Sequence, residues 1–193
     1  VFMVQLTQSG QLSTLHLIRE FLRREFSSLP SEQNGILQCA SDYYLSYCTE
    51  NKSDAESLKN NWENIRELIH WCYQEREWET VRQFVEIVSE SKFFLDFGYW
   101  TELLRLIDMA IEASRAIGDP GAEAKFLIAH RGYALYVMGN YDRAIGSTKQ
   151  GLDLAQSIGA SDLEALALYT LGINHRAKNE LEKARQLLKE SGE

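Results

Sequence analysis

The chain has 193 residues, of which 45% are apolar, and a formal net charge of −8. That apolar share is ample for a core and excludes a disordered chain; with no apolar run approaching about 20 residues, no segment reads as a membrane-spanning helix. Residues 1–30 hold three Arg against two Glu, leaving 17 basic against 26 acidic residues in the remainder, and such an acidic surface repels phosphate backbones, so nucleic acid is not the expected partner.

Residues 2–6 and 11–15 alternate apolar and polar side chains around Ser9-Gly10 and predict a β-hairpin. It runs into an amphipathic helix with Leu17, Ile18, Phe21, Leu22 and Phe26 on one face. After Pro30 a second helix is expected from Ser31, burying Ile36, Leu37, Tyr44 and Leu45. Ser53-Asp54-Ala55-Glu56 has the pattern of a capping box, with Ser53 as the cap. Leu58, Trp62, Ile65, Ile69 and Cys72 then continue one face at helical spacing. Beyond these, helix pairs are predicted at 78–97 with 100–117, 121–138 with 141–158, and 162–178 with 181–191. Asp119-Pro120 and Ser161 supply starts, and Gly118 and Gly159 stops. Only Pro30 and Pro120 interrupt the chain, so the fold class is nearly all-α.

The pairs repeat. Gly98, Gly139 and Asn179 stand 41 and 40 residues apart, each followed by an aromatic or leucine, and Ala144 and Ala184 occupy the same place in the last two copies. A residue that tolerates a left-handed backbone closes one helix, and a small residue admits a close neighbour, which is the chemistry of a helical hairpin. Gly132 and Gly172 each lie seven residues before the turn residue of their copy, where two helices are expected to touch. A period of this size means stacked helical hairpins.

No residues assemble into a familiar catalytic pattern. Gly146-Ser147-Thr148-Lys149 has the ingredients of a phosphate cradle in the wrong order and sits inside a helix. His16, His70, His130 and His175 are scattered; His70 and Cys72 are two apart and point to different helix faces, so neither metal nor cofactor is expected. His175 reads as a buried, hydrogen-bonded histidine. The 28 acidic residues lie in acidic helices with no catalytic context, and the expectation is a protein that is not an enzyme. Cys39, Cys48 and Cys72 make an odd set without close pairing, which suits core or boundary thiols in the cytoplasm. An opening Val1 in place of an initiator methionine reads as a piece of something longer.

The pattern Gly132, Gly139, Tyr141, Ala144, Leu152, returning as Gly172, Asn179, Leu181, Ala184, resembles the tetratricopeptide repeat, whose usual period is about 34. The longer spacing resembles the extended variant in the sensor arms of signal-transduction NTPases with numerous domains (STAND proteins, NB-ARC-like). Asn61 to Cys72, followed by Glu77-Trp78-Glu79, is similar to the segment that precedes those repeats. Residues 1–26 resemble the last wing and helix of the winged-helix domain in such proteins. Family members carry a nucleotide-sensing histidine near this point, but here Thr14-Leu15-His16 places His16 one position late.

The resemblance implies three parts: a winged-helix remnant at 1–30, a helical connector at 31–76, and three tetratricopeptide-like repeats at 77–193, the last truncated. It also implies a right-handed superhelix whose first helices line a concave groove, here Lys92 and Leu95; Phe126, Ala129, Tyr133 and Tyr136; and Tyr169, Ile173 and Arg176. The expected partner is a protein, a peptide or a small effector, not a membrane. Self-association through the C-terminal repeat is also expected, where Leu187 and Leu188 would lack a following repeat. The implied function is a non-catalytic sensing module. The alternatives are the effector-binding arm of a DNA-binding transcription activator, through a wing and Arg19, Arg23 and Arg24, and a structural assembly adaptor.

Overall fold

The computed structural model describes residues 4–6, 12–14 and 30–192. The expected helix over 17–26, with His16, Arg19, Arg23 and Arg24, lies outside the described residues, as does the side chain of Ile36. The described chain is nearly all helical. It divides into two units, residues 1–43 and 44–193.

In the first unit, β1 (Val4–Leu6) and β2 (Leu12–Thr14) pair antiparallel, with Val4 opposite Thr14 and Leu6 opposite Leu12. Helix α1 (Pro30–Glu50) begins at the proline, one residue before the expected start. Proline lacks the N–H that a first helical turn leaves unused. Leu37 is buried, and Tyr44 and Leu45, which belong to the second unit, are half-buried.

The second unit continues with α2 (Ala55–Gln74), whose cap is Asp54 and not Ser53. The Asp54 carboxylate accepts from the Ser57 backbone N–H at 3.1 Å and from the Ser57 hydroxyl at 2.7 Å, two bonds a serine at 53 does not make. Leu58, Trp62, Ile65, Ile69 and Cys72 are all buried, as the spacing predicts. Trp62 meets Phe93 and Phe94 at ring separations of 4.7 and 5.2 Å, which fastens α2 to the first hairpin.

That hairpin departs from the expected single helix over 78–97. The chain forms α3 (Trp78–Ser89) and α4 (Lys92–Phe97), broken at Glu90-Ser91, before α5 (Trp100–Ala116). The Ser91 hydroxyl and backbone N–H both bond the Val88 carbonyl, a local alternative to continuing the helix. Lys92 then donates its N–H to Lys52 O, and Phe93 and Phe94 turn into the core.

The second hairpin is α6 (Pro120–Lys125), a π-helical turn (Phe126–Arg131) and α7 (Gly132–Val137), returning as α8 (Tyr141–Ile158). The third pairs α9 (Ser161–Ala177) with α10 (Leu181–Glu190). Asp119 caps α6 through the Ala122 N–H, but Ser161 is the first residue of α9 and makes no cap bond; Ala160 holds that place. The three turn residues have φ of 71° at Gly98, 74° at Gly139 and 63° at Asn179, so one left-handed corner closes the first arm of every hairpin.

The small residues admit close helix approaches. A β-carbon at Gly132 would stand 2.8 Å from Thr148 Oγ1, at Gly172 2.7 Å from Leu188 Cγ, and at Gly151 2.5 Å from Ile128 Cγ1. Ala124, Ile128 and Ala167 form a buried cluster covered by Leu152, Leu154, Leu163 and Leu166, joining the second and third hairpins in one core.

Candidate functional site

A cleft of about 330 Å³ opens between the first and second hairpins, lined by Ser89, Glu90, Ser91, Phe94, Leu95, Trp100, Ala129, His130 and Tyr133. Two local irregularities build it. The break at Glu90-Ser91 ends α3 and brings Phe94 and Leu95 to one wall. On the other wall the π-helical turn, in which Gly132 donates its N–H to Leu127 O five residues back, presents Ala129, His130 and Tyr133. The widened turn is held from the facing helix, because the buried Ser147 hydroxyl donates to the same Leu127 carbonyl at 2.9 Å.

His130 is 7% exposed, and its Nδ1 lies 2.8 Å from Ser89 Oγ. The Ser89 hydroxyl also lies 3.0 Å from Glu86 O; when it donates there, the histidine carries its proton on Nδ1 and donates to Ser89, and when it donates to Nδ1 the proton sits on Nε2. Burial pushes the imidazole pKa down to about 4, outweighing the pull of Glu90 and Glu86, and the ring is neutral near pH 7. In either tautomer Nε2 is buried and without a hydrogen-bond partner, an arrangement that costs about 1–3 kcal/mol.

The charges around the cleft are compensated. Glu90 pairs with Lys52 at 2.5 Å, a bond that holds its carboxyl below the usual range. Glu86 pairs with Lys125 at 2.5 Å. The cleft therefore offers an apolar and aromatic lining, one neutral imidazole and compensated carboxylates at Glu86 and Glu90.

Of the residues expected to line a groove, the cleft gathers Leu95, Ala129 and Tyr133. Leu95 is 51% and Tyr133 48% exposed. Lys92, Tyr169 and Arg176 are exposed on their first helices, and Ile173 is half-buried. Phe126 is a correction: it is 2% exposed, with its ring 5.0 Å from His130. Tyr136 is half-buried with its ring 5.8 Å from Tyr141, in the corner of its own hairpin. The cause is the π-helical turn, which rephases the helix so that Phe126 and Tyr133, seven apart, no longer share a face as they would in a regular α-helix.

His130, Ser89 and Trp100 were not among the expected residues. The run Ser89-Glu90-Ser91 was the available signal, since serines that bond nearby carbonyls mark a helix break.

His175 is buried and bonds Glu180 Oε2 through Nδ1 at 2.6 Å. Lys178 reaches Asp142 at 2.6 Å and Glu180 at 3.2 Å, tying the corner of the second hairpin to that of the third. Cys39 is exposed, while Cys48 and Cys72 are buried. Burial pushes the Cys48 thiol up to about 12. Among the described residues no three His, Cys, Asp or Glu side chains converge as a metal site, and no helix is long and apolar enough to cross a membrane. Comparison with protein-family models, curated proteins and solved structures gives no match.

Proposed function

We propose that this chain is a non-catalytic, partner-sensing module in which three tetratricopeptide-like hairpins form a right-handed superhelix and bind a protein or peptide on their first helices. The observation that carries the reading is the cleft, where Leu95, Ala129 and Tyr133 from successive first helices line one wall-to-wall surface with half of Leu95 and Tyr133 in solvent. Exposed aromatic and aliphatic side chains around a concavity are the usual anchors of recognition. The common left-handed corner at 98, 139 and 179 and the close approaches at Gly132 and Gly172 support the repeat architecture.

In this reading the paired strands belong to a winged-helix remnant, residues 31–76 form the connector, and the parent is a STAND-type signalling NTPase of the cytoplasm. The occupant acts by binding one state of the parent better than another, which shifts their populations. A double variant, Leu95→Asp with Tyr133→Asp, tests it by co-purification from the cells that make the protein. Arg105→Glu with Lys149→Glu, exposed on second helices, is the control. The species retained by the wild type and the control should be lost from the cleft variant; equal retention by all three overturns the assignment.

A further inference from the structure

The two walls of the cleft are fastened differently. The π-helical wall is braced from behind, by the Ser147 hydroxyl on Leu127 O and by the approach of Gly151 to Ile128. Helix α3 is tied to the same hairpin, through Ser89 Oγ and His130 Nδ1 at 2.8 Å and through the Glu86–Lys125 ion pair. Residues 90–97, which bring Phe94 and Leu95 to the cleft, have no such tie. Among the described residues no hydrogen bond, ion pair or ring contact joins them to the second hairpin. Outside their own hairpin, their ties run to residues 52–62. Glu90 pairs with Lys52 at 2.5 Å, and the Lys92 N–H donates to Lys52 O at 3.1 Å. Phe93 and Phe94 meet Trp62, and Lys59 Nζ lies 4.2 Å from the centre of the Phe97 ring. Phe93 also packs against Phe94 at 4.9 Å and Phe97 at 5.6 Å. Helix α4 is thus one packed body between two non-helical joints, the break at Glu90-Ser91 and Gly98 with φ of 71°.

We propose that residues 90–97 act as a strap that carries occupancy of the cleft to the start of α2. This rests on the partner-binding reading above and supplies its regulation. An occupant wedged between Tyr133 and Leu95 meets a braced wall on one side and an unbraced one on the other, so it loads the strap. Phe94 both lines the cleft and bears on Trp62, and Lys52 holds the strap through its carbonyl and its ammonium. The displacement therefore arrives at residues 51–54 and the first turns of α2. There Asp54 closes the helix end, accepting the Ser57 N–H and donating its own N–H to Asn51 O at 2.8 Å. Coupling through a packed chain of contacts is modest, roughly 2- to 30-fold in a local equilibrium.

The test fills the cleft covalently in the full chain and reads amide hydrogen exchange by mass spectrometry. Naphthyl maleimide is attached at Tyr133→Cys in a Cys39→Ser background, where the remaining thiols, Cys48 and Cys72, are buried. The same adduct at Tyr169→Cys, which does not line the cleft, is the control. The adduct at 133 should change exchange over residues 52–62 roughly 2- to 30-fold and leave α9 and α10 as they were, while the adduct at 169 leaves 52–62 alone. Two variants cut the strap: Trp62→Leu in the core, and Glu90→Gln with Lys59→Gln at exposed positions. In each that folds, the response over 52–62 should fall by half or more. No change over 52–62, an equal change in α9 and α10, an equal effect from the adduct at 169, or an undiminished response in the cut variants overturns the strap. The adduct needs no partner, so the co-purification comparison decides the partner-binding reading separately.

Discussion

Helix α8 contains two glycines that should respond oppositely to the same substitution. At Gly146 a β-carbon would meet nothing within 4 Å, so Gly146→Ala only removes the backbone freedom of glycine in a helix interior. That gain is about 0.5–1 kcal/mol. At Gly151 the same carbon would stand 2.5 Å from Ile128 Cγ1, 3.0 Å from Ile128 Cδ1 and 3.1 Å from the Ala124 carbonyl. Neither neighbour yields easily: Ile128 is fully buried and stiff at its branched carbon, and Ala124 O is helix backbone. Overpacking of this kind costs about 1–3 kcal/mol, which exceeds the helical gain, so Gly151→Ala should be destabilised on balance. In a chain of this size 1 kcal/mol is about 2–4 °C in Tm. Thermal unfolding followed by circular dichroism should place Gly146→Ala above the wild type and Gly151→Ala several degrees below it. If Gly151→Ala is stabilised as much as Gly146→Ala, α8 does not approach the π-helical turn as closely as described, and the cleft wall built on that turn is misplaced.

His130 should make the protein acid-sensitive. Its folded pKa of about 4 lies below the ordinary histidine value of 6.5, so the unfolded chain takes up a proton first as pH falls. Stability is full above pH 6.5, declines between 6.5 and about 4, and levels off below, a loss of about 3 kcal/mol; urea titrations should show that loss in the wild type and not in His130→Phe. The thiols should separate kinetically: Cys39 reacts promptly with a thiol reagent at pH 8, while Cys48, buried and with its pKa near 12, reacts only on unfolding. At the C-terminal hairpin Leu181 is 58% exposed, and Leu187 and Leu188 are half-buried, Leu188 being seated against Gly172. Sedimentation should therefore detect concentration-dependent dimers that Leu181→Lys suppresses; a strict monomer at millimolar concentration refutes that surface.

The corners and the close approaches were legible because each depends on a residue type with one physical reason to be there. Gly98, Gly139 and Asn179 mark left-handed backbone, and Gly132 and Gly172 mark helices in contact. The copy that lacks the second glycine is informative in retrospect. Ser91 occupies that place, seven residues before Gly98, and the helix breaks there. The capping sequence at 53–56 was read one residue early, because Ser53 and Asp54 are both good caps and only the local geometry chooses between them. The π-helical turn was not legible at all. Phe126 to Arg131 has ordinary helical composition, and the Leu127 carbonyl that accepts the five-residue bond also accepts the Ser147 hydroxyl from the facing helix, a contact between elements that the local sequence does not announce. That hidden shift buried Phe126, turned Tyr136 to its own corner, and brought His130 to the cleft.

Site-specific photo-crosslinking in the cells that make the protein tests the central claim most directly, with the photoreactive side chain at Tyr133, at Tyr169 or at Arg105. Tyr133 and Tyr169 are exposed on first helices, and Arg105 is exposed on a second helix. The account predicts one common protein adduct from positions 133 and 169 and none from 105. An adduct from 105 alone, or unrelated adducts from 133 and 169, would contradict a shared binding face along the first helices.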